Sequence, residues 1–366
     1  MFDVVSYCKG ASILRMLHNY LTEDVFTQGI RDYLKQHSYK NAQQDDLWEA
    51  LEKSALKEER KVEVKAIMDT WTTQKGYPLV SVKVDGRKLK LHQDIFSLYP
   101  ENGKSFLWQI PFTFYTSNSP SVITHLMRKR EETIDLHHDV AWIKANVNST
   151  GFYRVSYDPH TLHVIIRQLQ ESHTVFSKAD RASLIDDTFH LASQGSVQFS
   201  DAFALCLFVK EEREYLPIRM FMAHIGKMMS KFSFSRQRCA LGLLKDHLWT
   251  LLGGLIQAQH WEEGGSLSQQ KLRTLLLATG IGLHSPSSRQ RAQELFHHWM
   301  AADGKIQLPR MLRGLIFRMG IRRGGHREWM FLLQQYLRTV SSSDKVLLLS
   351  ALSRTRNPNK RKWQVL

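Results

Sequence analysis

The change from helical to extended structure in this chain is marked by the stretch Trp71-Thr-Thr-Gln-Lys-Gly-Tyr-Pro-Leu-Val-Ser-Val-Lys-Val-Asp-Gly-Arg-Lys-Leu-Lys-Leu91. Gly76 and Pro78 are helix-ending residues, and they follow an apolar pattern of helical spacing. After Pro78 the period falls to two, and Asp85-Gly86 separates two alternating segments. Asp-Gly in that setting is the strongest short-range signal for a β-hairpin. The stretch therefore predicts a boundary between residues 76 and 77.

Upstream of this boundary the sequence predicts a group of helices. Apolar residues recur at helical spacing in four segments, near residues 13–21, 26–34, 47–51 and 64–71. Thr22 precedes two acidic residues and predicts an N-cap of the second helix, since a hydroxyl can accept a free N–H of the first turn. Residues 1–76 are thus expected to form one helical region.

Downstream of the boundary the sequence predicts two further domains. Short alternating segments with turn residues between them predict a β-sandwich over residues 77–158. From residue 159 helices of one to four turns follow one another with short loops, which is typical of an α-solenoid or superhelix. The fold class expected is therefore multidomain α+β, with an α-helical superhelical domain over residues 159–366.

Composition excludes several classes of protein. Of the 366 residues, 43% are hydrophobic and 10% aromatic, which is ample for packed cores and rules out a disordered chain. The longest apolar runs fall short of 18 residues, so no membrane span is predicted, and the first residues lack the pattern of a signal peptide. Three cysteines are too few for a disulfide framework, so the redox state of Cys8, Cys206 and Cys239 stays open.

A tyrosine precedes the first predicted helix in the segment Phe2-Asp-Val-Val-Ser-Tyr7-Cys-Lys-Gly-Ala-Ser-Ile-Leu-Arg-Met-Leu17. Small and polar neighbours would allow the phenol of Tyr7 to point into a cleft. The simpler interpretation is a buried structural tyrosine whose hydroxyl is hydrogen-bonded within the core. The residues alone favour this second interpretation.

Several motifs resemble those of the gluzincin zinc aminopeptidases, above all the oxytocinase branch, which includes the endoplasmic reticulum aminopeptidases. The resemblance covers the whole chain and is densest over residues 2–190. The Trp-Thr-x-Gln-Lys-Gly-x-Pro run is the most specific of them. The motifs are Tyr7-Cys-Lys-Gly10, Met68-Asp-Thr-Trp-Thr-Thr-Gln-Lys-Gly-Tyr-Pro-Leu79, Leu107-Trp-Gln-Ile-Pro-Phe-Thr113, Trp142-Ile-Lys-Ala-Asn-Val-Asn148, Gly151-Phe-Tyr-Arg-Val-Ser-Tyr157 and Asp180-Arg-Ala-Ser-Leu-Ile-Asp-Asp187.

The resemblance implies a C-terminal portion of such an enzyme. Residues 1–76 would be the helical end of a thermolysin-like catalytic domain, 77–158 the β-sandwich and 159–366 a truncated superhelix, with both ends of the chain looking cut. The implied activity is removal of N-terminal residues from oligopeptides, with zinc as the parent family's cofactor and Tyr7 as transition-state stabiliser. The implied location is the lumen of the endoplasmic reticulum or the cell surface, and association with full-length relatives is a further expectation.

The zinc-binding motif of that family is absent from this sequence. His-Glu-x-x-His places two histidines on one helix face with the glutamate as general base, and none of the 17 histidines here is followed by glutamate. No metal is therefore expected to bind, and the chain is expected to be inactive alone. The alternative function is a non-catalytic protein that binds a peptide or a partner chain.

Two further kinds of site follow from charge and from a sequon. Residues 321–366 hold ten lysines and arginines against two acidic residues, yet they lack the interleaved aromatics of a nucleic-acid site, so no nucleic acid is expected. A solvated basic face is one interpretation. The other is a concave wall on which Arg354 and Lys227 contact a peptide's terminal carboxylate.

Asn148-Ser-Thr150 is a candidate N-glycosylation sequon on a predicted turn.

Overall fold

The computed structural model describes residue 3 and residues 5–97, 106–234 and 238–355. Within these ranges the fold is mixed and mostly helical, with fourteen α-helices and two small β-sheets. The chain forms two compact units, Met1–Phe208 and Val209–Leu366. The expected mixture of helices and sheets is confirmed, whereas the three predicted domains, 1–76, 77–158 and 159–366, stay a proposal.

The first unit begins with four helices. Leu17, Leu51 and Trp71, from three of them, are fully buried and form the centre of their packing. Thr22 is the N-cap residue of the second helix, as predicted, with Glu23 and Asp24 in the first turn. Its φ is 82°, its side chain makes no capping hydrogen bond, and it is also the residue at which the first helix ends. The helices are α1 (Gly10–Leu21), α2 (Glu23–Gln36), α3 (Gln44–Lys57) and α4 (Val64–Thr72).

Two sheets follow these helices in the chain. The predicted hairpin is confirmed, with Asp85 paired to Lys88 across the turn and Val82 paired to Leu91. The strands are β1 (Pro78–Asp85), β2 (Lys88–Ile95), β3 (Ile110–Thr116), β4 (Ser119–Met127), β5 (Glu131–Asp135), β6 (Ile143–Ala145) and β7 (Arg154–Tyr157). One sheet has the order β5-β2-β1-β7, with β1 and β7 parallel, and the other has the order β4-β3-β6.

Hydrogen bonds that tyrosine hydroxyls accept from main-chain amides join the two sheets. The hydroxyl of Tyr157 on β7 accepts from the main-chain N–H of Ala145 on β6 at 2.9 Å. The hydroxyl of Tyr153 accepts from the N–H of Thr113 on β3 at 3.2 Å. Burial raises the pKa of both phenols well above its usual range, so each stays a neutral partner for a main-chain amide. Two buried main-chain amides of the β4-β3-β6 sheet are thereby satisfied.

Three helices complete the first unit. The carboxylate of Asp158 caps the first of them and accepts from the N–H of His160 at 3.0 Å, and Pro159 stands at its first position. Ser177 caps the second, which ends at Gly195 with a φ of 82°, a left-handed C-cap that favours glycine. They are α5 (Pro159–Ser172), α6 (Lys178–Gln194) and α7 (Phe199–Leu205).

The second unit is helical throughout its described residues. Its core is built around Phe296, Trp299 and Phe317, with ring centroids 5.9 Å apart for the first pair and 4.7 Å for the last two. Gly320 lets the Phe296 ring approach the helix backbone, as a Cβ there would lie 2.2 Å from the ring. The helices are α8 (Tyr215–Phe234), α9 (Arg238–Gln257), α10 (Leu267–Gly282), α11 (Pro286–Ala301), α12 (Arg313–Arg323), α13 (His326–Arg338) and α14 (Ser342–Leu352).

Helix α9 bears on the expectation that no segment spans a membrane. By length and composition its stretch Cys239–Gln257 could cross a bilayer, and part of it is buried within the second unit. A core helix of a soluble protein meets the same criterion, so the stretch is weak support for a span.

Candidate functional site

Tyr7 lies on an unusual turn immediately before α1. Residues Val5–Lys9 form a single π-helical turn, and the N–H of Tyr7 donates to the carbonyl of Asp3 at 3.1 Å. Such turns inside or next to α-helices are rare and are frequent at functional sites. The Tyr7 side chain is 56% exposed, so the interpretation as a buried structural tyrosine is wrong.

The turn that contains Tyr7 is held by a contact with Gln74, which follows the end of α4. The Nζ of Lys9 donates to the main-chain carbonyl of Gln74 at 2.8 Å, and partial burial lowers the pKa of Lys9. The Gln74 side chain in turn donates to the carbonyls of Thr70 at 2.7 Å and Leu107 at 2.9 Å. Lys9 and Gln74 belong to the Tyr-x-Lys-Gly and Trp-Thr-x-Gln-Lys-Gly motifs, so the structure brings these two sequence motifs together.

Helix α1 is also held against the turn that contains the sequon. Arg15 donates to the carbonyl of Ser149 at 3.0 Å and to that of Asn148 at 3.4 Å. Asn148 is exposed with a φ of 53°. Its side-chain oxygen accepts from the hydroxyl of Ser177 at 2.7 Å. The amide nitrogen to which a glycan would be attached is on the other side of that carboxamide group.

A buried ion pair joins the Trp142–Asn148 and Asp180–Asp187 motifs. Lys144 is 1% exposed, and its Nζ lies 3.3 Å from a carboxylate oxygen of Asp180. Asp180 also accepts from the N–H of Asn148 at 2.7 Å and from the hydroxyl of Tyr115 at 3.2 Å. Burial and the neighbouring carboxylate raise the pKa of Tyr115 far above its usual range. These residues hold the sequon turn against α6, so their role is structural.

A second charged group joins β7 to α6. Arg154 Nη1 lies 2.7 Å from Asp186 and 2.8 Å from Asp187, and Asp187 also accepts from the N–H of Val155 at 3.1 Å. Burial of Asp187 raises its pKa to about 6, although Arg154 acts in the opposite direction. The two adjacent carboxylates are close enough to repel each other, and the single guanidinium between them offsets that repulsion.

Arg354 lies at a cavity of about 720 Å³ in the second unit. Arg318 and Arg322, one helical turn apart on α12, line the same cavity, and no acidic residue does so among the described ones. Burial and the charge of Arg354 lower the pKa of Arg318. Three guanidinium groups without a carboxylate between them make this cavity suitable for an anion.

The sequence analysis missed Arg318 and Arg322, although their spacing of four residues within a basic helix would have indicated a shared face. Lys227 is exposed on α8 and is not among the residues that line the Arg354 cavity. The structure therefore brings Arg354 together with Arg318 and Arg322, and it does not bring Lys227 to that cavity.

The residues present do not fit the zinc of the parent family. That site needs two histidines and a glutamate from one helix plus a further carboxylate, and the 366 residues contain no His-Glu pair. His160 and His163, the histidine pair nearest to a metal-ligand spacing, are on α5, where His163 lies 3.5 Å from Asp201.

Two known protein families match parts of this chain. Residues 142–366 match the family described as the ERAP1-like C-terminal domain, and residues 1–71 match part of the Peptidase family M1 domain. Endoplasmic reticulum aminopeptidase 1 of Rattus norvegicus is 34% identical over 392 residues, covering 99% of this chain and 41% of the relative. Endoplasmic reticulum aminopeptidase 2 of Homo sapiens is 32% identical, covering 98% and 40%.

Glutamyl aminopeptidase of Bos taurus is 32% identical to this chain, covering 98% of it and 37% of the relative. The chain thus spans about two fifths of the length of these relatives. The family match covers most of the chain, and the resemblance to zinc aminopeptidases is confirmed. The chain belongs to the ERAP1-like C-terminal domain family, with a segment of the M1 peptidase domain at its N-terminal end.

Proposed function

We propose that this chain is the C-terminal part of a zinc aminopeptidase that trims N-terminal residues from oligopeptides, and that Tyr7 stabilises the oxyanion of its transition state. The observation that carries the proposal is the exposed Tyr7 ring on a π-helical turn, within the segment that matches the M1 peptidase domain. A phenol held in this way can donate a hydrogen bond to charge that develops on a scissile carbonyl oxygen.

The positioning of Tyr7 supports this role. A hydrogen-bond donor accelerates the reaction when it binds the transition state more strongly than the substrate, and this requires that the donor is already in place when the oxyanion forms. The bond from Lys9 to the Gln74 carbonyl fixes the C-terminal end of the π turn, and Ser12 Oγ donates to the carbonyl of Cys8 at 2.7 Å. The backbone that follows Tyr7 is therefore held by two side-chain hydrogen bonds, and the Tyr7 side chain is 56% exposed.

This chain alone is proposed to have no peptidase activity, because the zinc donors are not among its residues. The test is to purify residues 1–366, measure zinc by atomic emission and follow hydrolysis of an aminoacyl fluorogenic amide. No stoichiometric zinc and no hydrolysis are expected. One tightly held zinc per chain would contradict the proposal.

The role of Tyr7 is testable in a chimera. Residues 1–366 would replace the matched part of endoplasmic reticulum aminopeptidase 1 of Rattus norvegicus. Tyr7→Phe is expected to lower kcat by roughly 10²–10³-fold with little change in KM. Tyr39→Phe is the matched control, since Tyr39 is fully exposed on the loop after α2. An unchanged kcat in Tyr7→Phe, in a chimera that is itself active, would contradict the oxyanion role.

A peptide-binding function has its own supporting observation, the cavity of Arg318, Arg322 and Arg354. Arg354 is proposed to contact the terminal carboxylate of a peptide, and Lys227, which does not line this cavity, is the second candidate for the same contact. The test is titration of a free-acid peptide against its C-terminal amide at two ionic strengths. The acid is expected to bind more tightly, with the difference reduced at high salt. Equal binding of acid and amide, or no effect of Arg354→Ala, would contradict this contact.

The same cavity also suits the alternative function, a non-catalytic protein that binds peptides or a partner chain. The reading frame upstream of Met1 distinguishes the two, because a His-Glu-x-x-His motif there favours the enzyme. Oligopeptides are the proposed partners, together with full-length relatives, and nucleic acid is not one of them. The proposed location is the endoplasmic reticulum lumen or the cell surface.

A further inference from the structure

A second cavity, of about 780 Å³, lies in the second unit where the loop after α11 meets the start of α14. Its volume is within the range of roughly 300–1,000 Å³ that is usual for ligand sites. Trp299 and Phe317 form an apolar part of its wall, and most of the remaining wall is polar. Arg318, Arg322 and Arg354 are not among the residues that line this second cavity, so the second cavity is separate from the one at Arg354.

The acidic groups at this cavity are already engaged. Asp344 pairs with Nη2 of Arg313 at 2.9 Å, and a carboxylate oxygen of Glu263 accepts from the main-chain N–H of Arg310. Three cations, Lys305, Arg310 and Arg313, thus line the cavity together with two acidic residues, each of which has one carboxylate oxygen already bonded. The cavity has an excess of positive charge.

Two hydrogen-bond donors at the cavity have no partner. The Nε2 of Gln335 and the Nε of Arg313 are buried and make no hydrogen bond to the described part of the chain. A buried donor without a partner costs roughly 1–3 kcal/mol, so such atoms are normally satisfied by a ligand or water. The Gln335 side chain can occupy this position because Gly304, with a φ of 78°, has no Cβ: one would lie 2.8 Å from its Oε1.

We propose that this cavity binds an acidic peptide segment. A glutamine carboxamide offers a donor and an acceptor side by side, which complements the C=O and N–H of a peptide main chain. Lys305 and Arg310 then pair with a carboxylate side chain of the same peptide. The choice of a peptide, rather than another anion, rests on the proposed function. The cavity and its two donors without partners are observed independently of that function.

The experiment uses residues 1–366 and the fluorescently labelled, doubly blocked peptide acetyl-Ala-Asp-Glu-Ala-amide. A blocked peptide lacks the terminal carboxylate that is proposed to contact Arg354. Arg354→Ala then tests whether the Asp and Glu side chains of the peptide bind in the cavity of Arg318, Arg322 and Arg354 instead, and loss of binding in this variant would overturn the proposal. Saturable binding is expected, at least fivefold tighter than that of acetyl-Ala-Asn-Gln-Ala-amide, and weakened by salt. Arg354→Ala is expected to leave this binding unchanged.

Two pairs of variants assign the binding to the cavity. Gln335→Met is expected to weaken it about fivefold, while Gln334→Met, its exposed neighbour on α13, leaves it unchanged. Lys305→Gln is expected to weaken it and remove part of the salt dependence, while Lys345→Gln, an exposed lysine on α14 that does not line the cavity, has no effect.

Three further results would overturn the proposal. These are no saturable binding, equal binding of the acidic and neutral peptides, and complete displacement of the acidic peptide by an equal concentration of inorganic phosphate. If the blocked peptide fails to bind while a free-acid peptide still binds more tightly than its amide, this inference is wrong and the proposed carboxylate contact at Arg354 stands.

Discussion

The ammonium group of Lys9 lies 2.8 Å from the main-chain carbonyl oxygen of Gln74, 65 residues further along the chain. Lys9 ends the π-helical turn that contains Tyr7, and Gln74 follows α4 at the point where the helical region gives way to the first sheet. Gln74 then bonds through its side chain to Leu107, just before β3. The position of Tyr7 therefore depends on the junction between helices and sheets as well as on α1.

Lys9→Met should loosen this junction. The variant removes a charge-assisted hydrogen bond and leaves the Gln74 carbonyl without that donor, so the free energy of unfolding is expected to fall by about 1–3 kcal/mol. The measurement is urea unfolding followed by tryptophan fluorescence, with Lys35→Met, an exposed lysine on α2, as the control. Equal stability of the two variants would show that the Lys9 bond contributes nothing measurable.

The helix-to-strand switch near Gly76 was predictable because it depends on local signals. Pro78 and Gly76 restrict the backbone directly, and Asp85-Gly86 selects a tight turn, so β1 and the start of β2 were predicted to within one residue, whereas β2 continues four residues beyond the predicted end at Leu91. Thr22 shows the limit of such reasoning. Its position as the N-cap of α2 was predicted correctly, but the same residue also ends α1, and its φ of 82° and unused hydroxyl give no signal in the sequence.

The candidate site was predictable only in part, for a similar reason. Tyr7 and Arg354 could be identified from motifs and charge. The bond between Lys9 and Gln74, and the cavity shared by Arg354, Arg318 and Arg322, depend on which elements pack together. Gln335 and Gly304 give no signal in the sequence, since a glutamine on an amphipathic helix resembles any solvated residue until its buried amide is seen without a partner.

Asp187 should make stability depend on pH in an unusual direction. Its pKa is about 6 in the folded protein and 3.8 in a model peptide, so the folded state binds more protons between these values. The contribution of Asp187 to the free energy of unfolding is therefore fully present below pH 4 and lost as pH rises through 6. The loss is expected to be on the order of 1–3 kcal/mol.

The contribution of Asp187 is isolated by comparing variants. Unfolding by urea would be measured from pH 4 to 7 for the natural chain, Asp187→Asn and Asp135→Asn, the last being exposed at the end of β5. Relative to the natural chain, Asp187→Asn should gain stability steadily as pH rises from 4 to 7, and Asp135→Asn should not. Parallel pH profiles for all three proteins would contradict the raised pKa.

Asn148 is expected to accept an N-linked glycan when the chain is directed into a secretory pathway. The residue is exposed, and its turn places Ser149 and Thr150 next to it on the same short loop. A mass increase removable by a glycosidase is expected, and it should be lost in Thr150→Ala. Ser149→Ala, which keeps the Asn-x-Thr pattern, is the control and should retain it. An unmodified natural chain would contradict the prediction.

Gly320→Ala should strongly destabilise the second unit. A Cβ at this position would lie 2.2 Å from the Phe296 ring, which is fully buried and packs against Trp299. The ring cannot move without disturbing that core, so the free energy of unfolding is expected to fall by about 1–3 kcal/mol or more.

Gly226→Ala is the matched control on α8, because a Cβ there meets nothing within 4 Å. Alanine favours a helix by about 0.8–1.0 kcal/mol over glycine, so this variant should be more stable than the natural chain. Thermal unfolding of the two variants side by side should therefore shift the midpoint in opposite directions, and shifts of the same sign would contradict the packing described around Phe296.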